Sequence, residues 1–161
     1  MTHFESLVVG QEIVGKPFAP TRETIREFCD ASLDYNPLHL DDNYMTGSFG
    51  KTSFGGIIMH GMTNFGLLTG MLTDWAYAHD AVHRRLETRW RLPVKPGDVI
   101  TPRARITQRL TTLKSRWVLL DVEMRNDRGE TVATGEAMVE FPPNAKLVEG
   151  AASRRFLGKS A

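Results

Sequence analysis

The sequence lacks the features that place a protein outside the cytoplasm or in a membrane. Its 161 residues contain one cysteine, Cys29, which excludes an internal disulfide and favours a reducing compartment. No apolar run is long enough to span a bilayer, and the polar first residues are not typical of a signal peptide. We therefore predict a cytoplasmic protein with no membrane partner, in which Cys29 is a small core residue.

An excess of charge of one sign is also missing. Lysine and arginine number 20 against 19 aspartates and glutamates, whereas nucleic-acid-binding domains usually carry a large basic excess. The five histidines show no His-x-x-x-His or Cys pairing at metal-ligand spacing, and no glycine loop of the nucleotide-binding type occurs. The sequence therefore predicts no nucleic-acid partner, no metal and no cofactor.

What the chain does contain is enough apolar sequence for one domain. Hydrophobic residues make up 41% and charged residues 24%, which is typical of a globular protein. We predict a single domain over residues 1–145, followed by a flexible basic tail over residues 146–161.

The first half of the chain alternates helical and irregular stretches. A short strand is predicted from Glu12 to Phe18, and Thr21 is a suitable N-cap for a helix over residues 21–33. Residues 38–54 are polar and glycine-rich, which predicts a long loop with one short helical turn. Residues 61–78 are apolar on most faces, as expected for a buried central helix.

The second half alternates apolar and polar residues, as strands do. Four such runs cover residues 84–93, 99–110, 115–126 and 131–141, and turn signals separate them at 93–98 and 126–129. Short turns between successive strands predict an antiparallel meander. Helices followed by strands predict an α+β fold, with the sheet curled around the central helix.

Residues 34–39 (Asp-Tyr-Asn-Pro-Leu-His) place a carboxylate and an imidazole close together on one turn. Pro37 fixes its own φ and disfavours the helical conformation at Asn36, so Asp34 and His39 do not share a helix face. Carboxylate and imidazole groups are suited to proton transfer near neutral pH, and both can converge on one water molecule. In isolation the segment is also compatible with an ordinary Asn-Pro turn.

Three motifs in this order resemble a known family. Residues 34–41 (Asp-Tyr-Asn-Pro-Leu-His-Leu-Asp), 56–62 (Gly-Ile-Ile-Met-His-Gly-Met) and 92–98 (Leu-Pro-Val-Lys-Pro-Gly-Asp) are similar to the MaoC-like, (R)-specific enoyl-CoA hydratases. The resemblance covers about residues 5–142 and implies the hotdog fold, an antiparallel sheet wrapped around a long central helix. It implies hydration of trans-2-enoyl thioesters, or the reverse dehydration, with the acyl-CoA as substrate and no cofactor.

The resemblance also implies roles for individual residues. Asp34 and His39 hold the attacking water, and each can accept or deliver a proton. We favour His39 as the group that polarises the water and Asp34 as the partner proton carrier, but the sequence leaves this division open. The backbone N–H of Gly61, at the start of the central helix, stabilises the oxyanion, because helix N-termini carry unpaired amides. Asn36 holds the turn, whereas for His60 a supporting role and a place inside the sheet both stay open.

The acyl pocket and the carrier-binding residues are less well defined. The loop between His39 and Gly61 is longer than in short bacterial hydratases and is expected to cap the pocket. Its wall has four candidates on the central helix, each of which also suits core packing: Met62, Phe65, Thr69 and Leu72. Candidate ligands for the CoA phosphates are Arg84, Arg85, Arg89, Arg91 and Lys51.

Two other functions compete with this prediction. A hotdog thioesterase carries a carboxylate on the central helix, but here the first one is Asp74, near the far end. A non-catalytic partner subunit would have lost the Asp34–His39 pair, which this chain retains. An exposed strand edge predicts a homodimer, with larger assemblies still open, and the carrier is either CoA or acyl carrier protein.

Overall fold

The computed structural model describes residues 3–47 and 54–142. The α+β prediction is confirmed: one long helix lies against a five-stranded antiparallel sheet. All four α-helices of the described residues precede β2 in the chain, and a single turn of 3₁₀ helix covers Pro37–His39. The helices are α1 (His3–Ser6), α2 (Arg22–Ser32), α3 (Asp42–Thr46) and α4 (Gly61–Tyr77). The strands are β1 (Glu12–Val14), β2 (Val82–Trp90), β3 (Ile100–Thr111), β4 (Arg116–Asn126) and β5 (Thr131–Phe141).

The predicted meander is wrong for one strand. The sheet order is β1-β3-β4-β5-β2, so β2 pairs with β5 and not with β3, which follows it in sequence. The segment between β2 and β3 contains Pro93 and Pro96, which lack N–H donors, and it does not form a hairpin. Instead, the Val94 carbonyl accepts a hydrogen bond from the Met59 amide at 2.7 Å, which holds the segment against the entry to α4.

The core lies between α4 and one face of the sheet. Leu68 and Leu72 of α4 are fully buried, as are Val118 and Val139 of the facing strands. Cys29 also has no exposed surface, which confirms the prediction that it is a core residue. Asp121 and Glu123 lie on the opposite face of the sheet, and burial alternates along β4 as the sequence predicted.

Two short helical turns, Pro37–His39 and α3, occupy the described part of the predicted 38–54 loop. The remainder of that loop, with Lys51, and the predicted basic tail over residues 146–161 lie outside the described residues. Within the described ranges, no helix is both long enough and apolar enough to cross a membrane.

Candidate active site

Helix α2 delivers Asp34 to the site. A capping box starts the helix: the Thr24 amide donates to Thr21 Oγ1 at 3.1 Å, and the Thr21 amide donates to Thr24 Oγ1 at 2.9 Å. The helix ends at Leu33, whose φ of 59° is left-handed. This conformation turns the chain away from the helix axis, so Asp34 leaves the end of α2 rather than continuing it.

The turn from Asp34 to His39 is held by its own side chains. Asp34 Oδ1 accepts a hydrogen bond from the Asn36 amide at 3.2 Å, and Asn36 Oδ1 accepts one from the Leu38 amide at 3.2 Å. Pro37 then starts the 3₁₀ turn, where its missing N–H costs nothing. Asn36 therefore caps the turn that sets the spacing between the two candidate catalytic groups.

His39 is buried, with 6% of its surface exposed. Its Nδ1 lies 2.7 Å from the Ile58 carbonyl oxygen, which can only accept, so Nδ1 carries the proton and Nε2 is left as an acceptor. Burial lowers the pKa of His39 below its ordinary 6.5, and the nearby His60 lowers it further, while the hydrogen bond to Ile58 and the charge of Asp34 act in the opposite direction. The neutral form of His39 is therefore favoured near pH 7.

His60 is part of the same cluster. It is the N-cap residue of α4, is 2% exposed, and stacks on His39 with ring centroids 3.5 Å apart and an interplanar angle of 21°. Its Nε2 lies 3.2 Å from the backbone oxygen of Asp34 and 4.0 Å from that residue's carboxylate. Because the backbone oxygen can only accept, Nε2 carries the proton.

Cys29 closes this cluster on the α2 side. Its Sγ lies 3.7 Å from His60 Nε2. Burial raises the pKa of the Cys29 thiol, and the negative charges of Asp34 and Asp30 add to the effect. Cys29 therefore stays a protonated thiol near neutral pH and is packed against the site rather than acting as a nucleophile.

The fold brings together three side chains that could each offer one ligand atom to a metal ion, a grouping that their sequence spacing did not reveal. One potential ligand atom from each of Asp34, His39 and His60 lies within 4.8 Å of the other two. A metal ion prefers to lie in the plane of each imidazole that binds it, and two stacked rings cannot both meet this condition. The arrangement suits hydrogen bonding to a small molecule better, and the absence of a metal stays a prediction.

Gly61 begins α4 directly after His60. A Cβ at this position would lie 2.7 Å from Cε2 and 2.8 Å from Nε1 of Trp90, closer than real Cβ contacts. The glycine is therefore required by the indole packed against it, a reason that sequence alone did not give. Its amide, as the first of the helix, has no carbonyl acceptor within α4.

The four pocket candidates of α4 differ in exposure. Met62 is 54% exposed, Phe65 and Thr69 are half-buried, and Leu72 is fully buried. Leu72 belongs to the core cluster that packs against the sheet, so it faces away from solvent. Their assignment to an acyl pocket stays a prediction.

The basic candidates on β2 and the residue after it already have polar neighbours. Arg84 Nε lies 2.7 Å from Glu140, and Arg85 Nη2 lies 2.8 Å from Glu87. Arg89 Nη2 is 3.7 Å from Glu87, and Arg91 Nε donates to Thr134 Oγ1 at 3.3 Å. A phosphate would have to compete with these partners.

The carboxylate required by a thioesterase is in the wrong place. Asp74 is exposed and lies less than one turn from Tyr77, the last residue of α4. The cluster of Asp34, His39 and His60 is instead at the first turn of that helix. This separation disfavours a site built around Asp74.

A sheet curled around one long helix, with an Asp–His cluster at the N-terminus of that helix, defines a hotdog protein with an acid–base site. The family description "MaoC like domain" matches residues 5–123. The chain belongs to this family, as its motifs predicted.

Relatives and solved structures agree with this assignment. An (R)-specific enoyl-CoA hydratase from Aeromonas caviae is 29% identical over 144 residues, covering 86% of this chain and 98% of the relative. A 3-hydroxybutyryl-CoA dehydratase from Methylorubrum extorquens is 26% identical over 141 residues, covering 87% and 84%. The solved (R)-hydratase from A. caviae superposes with a TM-score of 0.72 at 29% identity, covering 86% of this chain and 99% of that one.

These relatives are hydratases and dehydratases, which are carbon–oxygen lyases. The predictions of a hotdog fold and of an enzyme of this class are therefore confirmed. The predicted roles of individual residues are not tested by the comparisons.

Three neighbours of the site were not predicted. They are the Ile58 carbonyl that orients His39, the indole of Trp90 on Gly61, and the contact of Cys29 with His60. A backbone carbonyl leaves no trace in the side-chain pattern. Trp90 was visible in the sequence as an aromatic residue within the predicted strand 84–93, but its contact depends on how β2 meets α4.

Proposed function

We propose that this protein interconverts trans-2-enoyl-CoA and (R)-3-hydroxyacyl-CoA thioesters by addition or removal of water. The observation that carries the proposal is the convergence of the Asp34 carboxylate and the His39 imidazole within 4.8 Å, beside the first turn of α4. A gap of that size accommodates one water molecule hydrogen-bonded to both groups.

The hydrogen bonds of the site give each group a part in the reaction. Neutral His39, with its proton on Nδ1, accepts a hydrogen bond from the water at Nε2 and polarises it. The Asp34 carboxylate takes the other proton of the water as the oxygen bonds to C3, and then delivers that proton to C2. The overall step adds H and OH to the same face of the double bond and leaves both side chains as they began.

The first turn of α4 supplies the group that stabilises the negative charge of the reaction. Attack at C3 moves negative charge onto the thioester oxygen, and the Gly61 amide has no acceptor within its helix. Together with the positive end of the helix dipole, this amide stabilises the enolate oxygen. His60 supports the site by holding the Asp34 backbone and stacking on His39.

The proposal requires no cofactor, and the acyl group is carried by CoA or by acyl carrier protein. Met62, Phe65 and Thr69 lie on or near the exposed side of α4, where an acyl chain entering past Gly61 would meet them. We also propose that the protein is cytoplasmic, since its single cysteine fits a reducing compartment, and that it forms a homodimer, for which the exposed apolar side chains Tyr77, Val82 and Trp90 on and beside β2 are the support.

Kinetics of two isosteric variants test the catalytic assignment. Asp34→Asn and His39→Gln should each lower kcat for hydration of crotonyl-CoA by about 10²- to 10⁴-fold, since each removes one proton-handling group. The rate is followed by the loss of the enoyl-thioester absorbance, and circular dichroism checks that the variants fold.

Asp74→Asn is the matched control, because it removes a carboxylate from the far end of the same helix. It should leave the hydration rate unchanged. Full activity in either Asp34→Asn or His39→Gln would refute the assignment. Hydrolysis of acyl-CoA that depends on Asp74, without hydration, would establish the thioesterase instead.

A further inference from the structure

Asp42, just beyond the catalytic turn, joins two segments that the chain keeps far apart in sequence. Its Oδ2 lies 2.7 Å from Arg22 Nη2 at the start of α2, and its Oδ1 accepts a hydrogen bond from the Ile57 amide at 3.1 Å. We propose that Asp42 is a positioning residue that fixes the orientation and tautomer of His39 through the Ile57–Ile58 backbone. The catalytic consequence rests on the proposed function, whereas the effect on His39 does not.

Asp42 and His39 bind neighbouring residues: Asp42 holds the Ile57 amide, and His39 contacts the Ile58 carbonyl. Ile57, held by Asp42, is followed by Ile58, whose amide donates to the Leu38 carbonyl at 3.1 Å. The Ile58 carbonyl in turn receives the hydrogen bond from His39 Nδ1 at 2.7 Å. A displacement of Ile57 therefore moves the neighbouring Ile58 carbonyl, which holds the His39 proton on Nδ1.

The backbone before Ile57 gives a second reason why an anchor is needed. Gly55 and Gly56 have φ values of 67° and 150°, a region that glycine adopts readily. Because glycine has no side chain, these two residues restrict the backbone before Ile57 only weakly. The Asp42 hydrogen bond supplies a fixed point directly after this pair.

The Asp42 carboxyl is ionised at neutral pH. The hydrogen bond from the Ile57 amide lowers the pKa of its carboxyl below the ordinary 3.8, and the Arg22 guanidinium lowers it further. The ionised form has two oxygens, so it can accept from Ile57 and from Arg22 at once. An asparagine offers one acceptor oxygen, and its NH₂ group cannot accept from the guanidinium.

Nitrogen-15 NMR of the imidazoles tests the positioning directly. In the wild type, the His39 resonances should report a proton on Nδ1 and a lone pair on Nε2. Asp42→Ala and Arg22→Gln should shift these resonances toward a mixture of tautomers, with the larger change in Asp42→Ala. The double variant should resemble Asp42→Ala alone, because both residues act through one hydrogen bond to Ile57.

Steady-state kinetics form the second arm. Asp42→Ala should lower kcat for crotonyl-CoA by about 10- to 100-fold, the range found when an outer partner that orients a metal-binding histidine is removed, with KM changed by less than about 2-fold. Arg22→Gln should lower kcat less. The matched control is Glu140→Gln, which removes a carboxylate lying at the same 2.7 Å from an arginine, on β5.

The outcomes separate this proposal from the proposed function. Unchanged His39 resonances in both Asp42→Ala and Arg22→Gln would overturn the positioning role, whatever the rates. Shifted resonances that are absent in Glu140→Gln would support it, even if the wild type failed to hydrate any enoyl-CoA. Arg22 is largely exposed, so Arg22→Gln gives a folded variant for the test if Asp42→Ala unfolds.

Discussion

At the scale of single residues, His39 shows how burial and one hydrogen bond set the charge and the tautomer of an imidazole. Burial removes the solvation that a charged ring needs, and this is the largest influence on its pKa. The Ile58 carbonyl holds the proton on Nδ1, which leaves Nε2 as the acceptor. The side chain is thus kept neutral and in one tautomer.

A pH dependence follows from this state of His39. Because its folded-state pKa lies below 6.5, the neutral form is present above that value and is lost as the pH falls through the folded-state pKa. We expect kcat/KM for crotonyl-CoA to fall on an acidic limb whose apparent pKa lies below 6.5, the ordinary value for histidine. A pH–rate profile measures this limb.

The control for this profile is His83→Gln, which alters a histidine outside the cluster. It should leave the acidic limb where it is. An apparent pKa above 6.5 for the limb in the wild type would contradict the burial argument.

At the scale of elements, the contact between α4 and β2 fixes the start of the central helix. The indole of Trp90, the last residue of β2, packs directly on Gly61, the first residue of α4. Further along the helix, Gly66 and Gly70 have open space where a Cβ would be. Only the first of these three glycines is therefore required by packing within the described part of the chain.

Two glycine substitutions on the same helix should have opposite effects on stability. Gly61→Ala should lower the free energy of unfolding by about 1–3 kcal/mol, because its Cβ overlaps the indole. Gly70→Ala should raise it by about 0.5–1 kcal/mol, because alanine is the better helix former. Denaturant unfolding measures both changes, and Trp90→Leu in the Gly61→Ala background should recover part of the loss. Equal stability of Gly61→Ala and the wild type would show that the contact is not tight.

At the scale of the whole molecule, the apolar surface is unevenly distributed. β2 is an edge strand, and around it lies an apolar rim that consists of Met62, Tyr77, Val82 and Trp90, which are 54%, 61%, 45% and 47% exposed. An exposed edge bordered by apolar side chains is a surface that oligomeric proteins cover with a second copy. The proposed homodimer uses this rim.

Charge placed in the apolar rim should therefore weaken self-association. The double variant Tyr77→Glu/Val82→Glu should be monomeric at micromolar concentration, where the wild type is expected to be a dimer. Sedimentation velocity measures the difference. The control, Leu110→Glu/Leu113→Glu, adds the same charge to exposed leucines at the β3–β4 turn and should stay dimeric. A dimeric Tyr77→Glu/Val82→Glu variant would exclude the rim as the interface.

The sequence by itself determined the fold class, the family and the turn that carries the candidate dyad. These depend on local information: apolar periodicity locates α4 and the strands, Thr21 caps α2, and Pro37 fixes the turn between Asp34 and His39. Such features are encoded by neighbouring residues, so they can be read without knowing what packs where.

The tertiary structure alone decided which distant groups meet. It places β2 beside β5, stacks His60 on His39, sets Trp90 against Gly61, and brings Asp42 to the Ile57 amide. Strand order and backbone hydrogen bonds between remote segments depend on the packing of the whole chain, and no short pattern encodes them. The candidate catalytic residues were thus visible in the sequence, whereas the groups that orient them required the fold.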